Sequence, residues 1–348
     1  MRLALAAIAL LATMPANAAV PNSQIAGVWD GTIGTLPVRA CFVHESYGDQ
    51  GAYYYRSKLV TIPLIADNKT PGEFTENWAD QKGPRWTIGG IANGVMTGRW
   101  TSGSKNLPVQ LTLVPTKSSE DETTCGSQAF FEPRLVGVRT VRSRATMDGT
   151  GITRLALDHR GHFPSVAVRS FQIDGTDAAM RRINRRLRDP FNDGESNWLA
   201  CLKMALNNGV FEGESMDEIE PRLIVKRWLS AVEMIGYSCG GAHPESATVP
   251  LLFDRTTGGV VDPFTLIANR KALFAEIFSR FQHSEKECDG VLREAYDWTA
   301  EVTRTGMIFR PQLPRVVMAC GDDIAITFAR LRPWLNARGK AAVASLQR

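Results

Sequence analysis

The chain of 348 residues has little net charge of either sign. Forty Lys and Arg residues stand against 36 Asp and Glu residues, which gives a formal net charge of +4 at pH 7. Nucleic-acid-binding proteins need a concentrated positive field, so this balance argues against a nucleic-acid partner. The hydrophobic fraction of 44% is typical of a globular protein, and the length suits about two domains.

The sequence also lacks the short motifs that specify common catalytic and cofactor sites. It contains no His-Glu-x-x-His zinc motif, no Cys-x-x-Cys pair and no glycine-rich phosphate loop. His159 and His162 flank a predicted turn without an identifiable third ligand, and Ser238 is not interpreted as a hydrolase nucleophile. We therefore predict no metal site and no cofactor.

Long apolar runs are absent as well. After the short N-terminal run Leu3–Leu11, no stretch reaches the roughly 18 apolar residues of a membrane span, so we predict none. Arg2, this run and Ala16-Asn17-Ala18 form the three parts of a secretory signal peptide. We expect cleavage of residues 1–18 near Ala18 and a soluble protein that is periplasmic or secreted.

Cysteine is scarce but even in number. Six cysteines in an exported chain predict three disulfides in an oxidising compartment. If the bonds stay within domains and Cys125 ties the far end of the polar segment back to the first domain, Cys41 pairs with Cys125. Three pairings then remain open for the other four residues: Cys201, Cys239, Cys288 and Cys320.

Residues 19–124 are predicted to form an antiparallel all-β domain, either a barrel or a sandwich. Short segments rich in Val, Ile, Leu, Trp and Thr are separated by Gly, Asn, Asp and Pro at intervals of about 8–12 residues. The domain ends in the polar segment 116–124. Its tryptophans are interpreted as core residues, with a sugar-stacking platform as the alternative. The predicted strands are Ala26–Ile33, Leu36–His44, Leu59–Ala66, Arg85–Gly89, Val95–Trp100 and Leu107–Val114.

Residues 125–348 are predicted to form an α+β domain, because strands and helices are interspersed without a regular β-α-β alternation. A strand over Val166–Ile173 leads into a helix capped by Asp177 and ended by Pro190. A long strand is predicted over Arg222–Tyr237.

Arginine is concentrated in one segment of this second domain. Residues Arg134–Pro190 include 12 Arg and no Lys, against five Asp and no Glu. Such a segment is either a solvated, salt-bridged face or a recognition face for an anionic envelope polymer. The candidate binding residues lie on the helix side opposite its apolar stripe: Arg181, Arg182, Arg185 and Arg186.

The most distinctive stretch begins at Tyr237 with the residues Tyr-Ser-Cys-Gly-Gly-Ala-His-Pro and continues to residue 264. Gly241 and His243 lie in what reads as a tight turn, and both are candidate binding residues. We interpret His243 as a structural histidine tied to the next hairpin through Asp254. General acid/base catalysis by His243 and Asp254 is the alternative.

Taken with Phe-Asp-Arg-Thr-Thr-Gly-Gly from Phe253 and Val-Asp-Pro-Phe from Val261, this stretch resembles the RsiV-type extracytoplasmic domain of unknown function. Ile183-Asn184 and the closing run from Phe309 to Leu335 agree in order. The resemblance covers about residues 164–346. It implies an α+β domain of the cell envelope, of the type found in a lysozyme-sensing anti-sigma factor and beside peptidoglycan deacetylase domains.

Three functions follow from these observations. The preferred one is an exported protein that binds a cell-wall glycan or a wall-degrading enzyme such as lysozyme, without catalysis. The second is a hydrolase or deacetylase of envelope polymers with His243 as acid/base, and the third is a non-catalytic envelope scaffold. The deacetylase motifs Thr-Phe-Asp-Asp-Gly and His-x-x-x-His are absent, so the resemblance does not imply that chemistry here.

Overall fold

The computed structural model describes residues 20–45, 48–67, 69–76, 83–115, 124–191, 197–208, 212–241, 243–280, 286–294, 297–313 and 315–346. The chain forms two compact units, the first extending to Arg134 and the second beginning at Leu135. The predicted signal peptide and residues 116–123 of the polar segment lie outside the described residues. The sequence-based division after residue 124 lies ten residues before the division between the units.

The first unit contains a closed antiparallel barrel of eight strands, which confirms the predicted all-β class. Neighbouring strands pair in chain order, and the last strand pairs with the first to close the barrel. A short helix, α1 (Asn22–Ile25), precedes the barrel and a second helix, α2 (Gln128–Leu135), follows it. The strands are β1 (Gly27–Ile33), β2 (Leu36–Glu45), β3 (Gly48–Tyr55), β4 (Ile62–Ala66), β5 (Glu73–Glu76), β6 (Arg85–Ala92), β7 (Val95–Ser102) and β8 (Lys105–Leu113).

Aromatic side chains fill the barrel. Burial of a large apolar side chain contributes roughly 1.5–3 kcal/mol, so this group accounts for much of the unit's stability. Trp29 and Trp86 are core residues, as predicted. The fully buried members are Trp29, Phe42, Tyr53, Phe74 and Trp86.

Two barrel strands were not predicted from the sequence. β3 begins with Gly48 and Asp49, which favour turns. The sequence therefore did not predict a strand there, although β3 ends in three tyrosines. β5 has only four residues. Both are strands because their neighbours in the barrel supply hydrogen-bond partners along each edge.

The second unit contains a mixed seven-stranded sheet in the order β15-β14-β13-β12-β11-β10-β9, with one parallel pair, β11 with β12. A separate three-stranded antiparallel sheet has the order β16-β17-β18. Together with the helices, this confirms the predicted α+β class. The strands are β9 (Arg139–Met147), β10 (Thr150–Asp158), β11 (Val166–Ile173), β12 (Glu214–Ile224), β13 (Trp228–Ser238), β14 (Glu245–Asp254), β15 (Gly259–Val260), β16 (Asp297–Val302), β17 (Gly306–Gln312) and β18 (Ile324–Thr327).

The described part of the second unit includes six α-helices. Within the described residues, none is long and apolar enough to cross a membrane. They are α3 (Ala178–Arg186), α4 (Asn197–Asn207), α5 (Arg270–Arg280), α6 (Lys286–Glu294), α7 (Phe328–Leu331) and α8 (Ala337–Leu346).

Helix α3 begins where the sequence predicted. The Asp177 carboxylate accepts a hydrogen bond of 2.9 Å from the Met180 backbone N–H, and this cap satisfies one of the free donors of the first turn. Met180, Ile183 and Leu187 are buried in the core of the large sheet, as the predicted apolar stripe required.

The predicted long strand over Arg222–Tyr237 is confirmed from Trp228 onward, as β13, but its continuous course from Arg222 is wrong. The chain reverses between β12 and β13, and the Val225 N–H donates to the Trp228 carbonyl at 2.9 Å across the turn. Lys226 and Arg227 form this turn without Gly, Asn or Pro, so the sequence carries no turn signal there.

Three disulfides are present, and no described cysteine is free. Cys41 is bonded to Cys125, the pair expected from the sequence. The other pairings, which the sequence left open, are Cys201–Cys239 and Cys288–Cys320. Disulfides of this number are typical of proteins in an oxidising, extracytoplasmic compartment.

Candidate functional site

The four arginines predicted as a cluster on α3 do not share one environment. Arg186 donates to Glu233 on β13 through both terminal nitrogens, at 3.2 and 2.5 Å, and lies 3.3 Å from Asp189. Hydrogen bonding to Glu233 raises the pKa of Arg186 despite the opposing effect of burial. The expectation that all four guanidinium groups face water is therefore wrong for Arg186, which fastens α3 to the sheet.

The remaining arginines of α3 are exposed. Arg181 donates to the Thr176 carbonyl, whereas Arg182 and Arg185 form no ion pair with any described residue. Arg182 and Arg185 lie three positions apart and are therefore neighbours on the helix surface. Arg188, three positions further on, is exposed too. We name these four residues the α3 arginine surface: Arg181, Arg182, Arg185 and Arg188.

Arginines of the neighbouring strands are mostly paired. Three of them contact carboxylates, while Arg142 and Arg154 are exposed and form no ion pair within the described ranges. The pairs are Arg139–Asp158 at 3.4 Å, Arg144–Asp174 at 3.1 Å and Arg169–Glu218 at 2.8 Å. The salt-bridged interpretation thus applies to part of the segment, and arginines without an ion pair lie both on the strands and on or just after α3.

Gly241 and His243 lie in the turn between β13 and β14, where Gly240 has a φ of +89°. Both are exposed, and His243 makes no hydrogen bond to a described residue. Asp254 ends β14, nine residues beyond Glu245, which places it about 30 Å along the strand from the His243 turn. The predicted tie from His243 to Asp254 is therefore absent, and the two residues form no joint acid/base site.

The same turn excludes a serine nucleophile elbow. Residues 236–240 have the spacing Gly-x-Ser-x-Gly, but an elbow requires a strand that leads into a helix. Here Ser238 ends β13, the next element is β14, and Cys239 is bonded to Cys201. Glu245, the other carboxylate considered beside His243, accepts a 2.5 Å hydrogen bond from the Tyr237 hydroxyl.

Asp254 instead organises the opposite end of the sheet. Its carboxylate accepts from Arg227 at 2.9 Å and from the Thr256 hydroxyl and backbone N–H at 2.6 and 3.0 Å. Burial alone would raise the pKa of Asp254, but the hydrogen bonds from Thr256 and Arg227 outweigh it, so the pKa lies below its usual value. Asp254 is therefore an ionised anchor for Arg227.

A cavity of about 670 Å³ opens beside this anchor, and we call it the turn pocket. Asp148 comes from the β9–β10 turn, Arg227 from the β12–β13 turn, Thr256 from the β14–β15 turn and Arg304 from the β16–β17 turn. Its full lining is Asp148, Ile224, Val225, Lys226, Arg227, Thr256, Arg304 and Ser345. Four separate hairpins thus converge on one pocket, and sequence analysis identified none of its basic residues. The only local signal was Asp148-Gly149, whose positive φ angles suit a tight hairpin turn.

A buried carboxylate lies inside the barrel of the first unit. Glu76 Oε1 accepts hydrogen bonds from Tyr53 at 2.7 Å, Trp86 at 3.3 Å and Trp100 at 2.6 Å. Burial is the main cause of a strongly raised pKa for Tyr53, with the Glu76 charge as a further cause. Two of the predicted core tryptophans thus act as hydrogen-bond donors, which makes them structural. Trp78 lies outside the described residues.

His44 has a partner that the sequence did not reveal. Its Nδ1 contacts the Asp49 carboxylate across the β2–β3 hairpin, and Asn22 donates to the other Asp49 oxygen at 2.7 Å. The pair was missed because β3 was not predicted. Within the part of the chain that the structure describes, no group of three or more His, Cys, Asp or Glu side chains is arranged to hold a metal ion.

No known family model matches the chain, and no curated protein matches it. The solved structures to which it is similar include two of DUF3298 family proteins. The one from Bacteroides fragilis is 12% identical with a TM-score of 0.42, and the match covers 60% of this chain and 96% of that chain. The one from Pseudomonas aeruginosa is 11% identical with a TM-score of 0.35, and the match covers 57% of this chain and 94% of that chain.

Proposed function

We propose that this protein is a non-catalytic binding protein of the cell envelope, and that its α3 arginine surface binds an anionic cell-wall polymer. The observation that carries the proposal is the row of exposed guanidinium groups at Arg182, Arg185 and Arg188, for which the described residues supply no carboxylate. Arginine suits such a ligand because its planar fork binds carboxylates and phosphates through two hydrogen bonds.

The structure of α3 supports this function because the helix is held independently of the exposed arginines. Asp177 caps its N-terminus, and Arg186 ties it to Glu233. A helix fixed in this way needs no backbone ordering on binding, which lowers the entropic cost of association. The three disulfides support an extracytoplasmic location, where wall polymers are found.

The resemblance to the RsiV-type domain supports binding as the general mode of action, and that domain raises a lysozyme-like enzyme as a second ligand. Lysozyme is a basic protein, so the α3 arginine surface repels it and favours the polymer. The hydrolase alternative required a carboxylate beside His243. We do not propose it, because Asp254 lies at the far end of β14 and Glu245 bonds to Tyr237.

Co-sedimentation with purified peptidoglycan that retains its anionic polymers tests the proposal. The double variant Arg182→Gln/Arg185→Gln should weaken binding by about tenfold or more, because each charge-assisted hydrogen bond contributes about 1.5–3 kcal/mol. Wild-type binding should also weaken as salt is added. The measurement is the bound fraction over a range of polymer concentrations.

The matched control is Arg332→Gln/Arg338→Gln, which removes the same charge from two other exposed positions. This control should bind like the wild type. Equal loss in both double variants would mean that net charge, and not the α3 arginine surface, drives binding. If the protein were retained on immobilised lysozyme in a parallel assay and did not bind the polymer, the enzyme would replace the polymer as the proposed ligand.

A further inference from the structure

The turn pocket carries more positive charge than its carboxylates balance. Lys226, Arg227 and Arg304 line it, and Lys226 forms no ion pair with a described residue. A fourth cation, Arg255, lies directly behind the wall, with its guanidinium 2.6 Å from the Val225 carbonyl. Three carboxylates lie at this place, Asp148, Asp254 and, acting on Arg255, Asp177, so one positive charge is left in excess.

Both arginines of the pocket lining are held in fixed positions. Arg304 donates to one oxygen of Asp148 at 2.6 Å, while the other oxygen accepts the Ile224 N–H at 3.0 Å. Arg227 donates to Asp254 through Nε and one terminal nitrogen, and its guanidinium lies 5.0 Å from the Trp228 ring centre. These contacts leave further N–H donors on each guanidinium for a ligand, because each group has five.

The environment of Arg255 indicates that the pocket suits a negatively charged ligand. Its Nε is buried without a hydrogen-bond partner, and no described carboxylate forms an ion pair with it. Burial lowers the pKa of Arg255 although the Asp177 charge acts in the opposite direction, so the Arg255 charge is only partly compensated. An anion in the adjacent pocket would reduce that electrostatic cost.

We propose that the turn pocket is a binding site for a phosphate dianion, either free or as the phosphate of a small organic molecule. A tetrahedral phosphate accepts several hydrogen bonds at once, so it uses the remaining donors of Lys226, Arg227 and Arg304 better than a single carboxylate does. Its volume of about 670 Å³ lies within the usual range for small-molecule sites, roughly 300–1,000 Å³. Ile224 and Val225 provide an apolar wall for the remainder of such a molecule. This site is separate from the α3 arginine surface.

Calorimetric titration with inorganic phosphate at low ionic strength tests this site on the full chain. The wild type should bind phosphate saturably at one site. Lys226→Met should weaken binding about tenfold, since it removes one charge-assisted contact, and the double variant Lys226→Met/Arg304→Gln should abolish it. Sulfate, also a tetrahedral dianion, should compete, whereas chloride at equal ionic strength should not.

Because Arg304→Gln leaves Asp148 without its partner, folding of each variant is checked by circular dichroism and thermal unfolding. Lys226→Met breaks no ion pair or side-chain hydrogen bond with a described residue, so it tests the site without that complication. Arg332→Gln/Arg338→Gln serves as the control and should bind phosphate like the wild type. The proposal is overturned if the wild type shows no saturable binding, if Lys226→Met binds as tightly as the wild type, or if chloride competes as well as sulfate.

Discussion

Arg186 on α3 and Glu233 on β13 form a two-pronged ion pair between residues 47 positions apart in the chain. The Glu233 side chain is 7% exposed and that of Arg186 is 29% exposed, so the pair is largely shielded from water. It connects the helix that carries the exposed arginines to a central strand of the large sheet. Within one helix turn, arginine therefore has two roles, one structural and one proposed for binding.

This difference predicts a large loss of stability for one substitution and almost none for the substitution of its neighbour. Arg186→Gln should lower the free energy of unfolding by about 3 kcal/mol, because it leaves the buried Glu233 carboxylate without its cation. Arg185→Gln should change the same quantity by less than about 0.5 kcal/mol. Urea unfolding of both variants measures the difference, and similar values for the two would contradict the structural role of Arg186.

The Cys41–Cys125 bond closes the longest of the three disulfide loops, with a sequence separation of 84. Replacing both cysteines with alanine should lower the free energy of unfolding by about 4–5 kcal/mol in the chain-entropy model. Denaturant unfolding of the unreduced double variant and of the unreduced wild type measures this difference. An unreduced, denatured wild type that shows two or more reactive thiols would contradict the assigned bonds.

Tyr54 predicts how the first unit responds to alkali. Burial raises the pKa of Tyr54 from 10.0 to about 12, and its hydroxyl donates to the Phe130 carbonyl at 2.9 Å. Because the folded pKa is above the unfolded one, the stabilisation is complete below pH 10 and is lost as the pH rises toward 12. The loss amounts to about 2–3 kcal/mol.

Tyr54→Phe should remove this part of the alkaline destabilisation. Its free energy of unfolding should be lower than that of the wild type below pH 10 and should depend less steeply on pH between 10 and 12. Ultraviolet absorbance of tyrosinate, followed during a pH titration, reports the ionisation directly. An unchanged pH dependence in the variant would assign the effect to another group.

The Asp254 carboxylate predicts how the stability of the protein depends on pH in acid. Its folded pKa is lowered, so its contribution is present above the usual carboxyl pKa of about 4 and is lost as the pH falls through the folded value. Asp254→Asn should cost about 2 kcal/mol at neutral pH and much less in strong acid. His243→Gln serves as the comparison and should leave stability unchanged at neutral pH and in strong acid, since His243 is exposed and forms no hydrogen bond or ion pair with a described residue.

The sequence by itself determined those features that depend on local spacing. Turn residues at short intervals indicated the β-rich first unit, and Asp177 followed by an apolar stripe indicated α3. An even cysteine count indicated disulfides, and one pair followed from the domain division. Where a local signal was weak, as in β3 or in the Lys226-Arg227 turn, the prediction failed because neighbouring strands decide such segments.

Only the tertiary structure decided which charges are free and which are paired. Arg185 and Arg186 are adjacent residues of the same type, yet Glu233 of β13 forms an ion pair with Arg186 alone. His243 and Asp254 looked close in the sequence, but an extended strand advances about 3.3 Å per residue and separates them. The turn pocket unites three hairpin turns of the seven-stranded sheet with the β16–β17 turn of the three-stranded sheet. Strand order and the packing of the two sheets bring these turns together, and no local pattern encodes that arrangement.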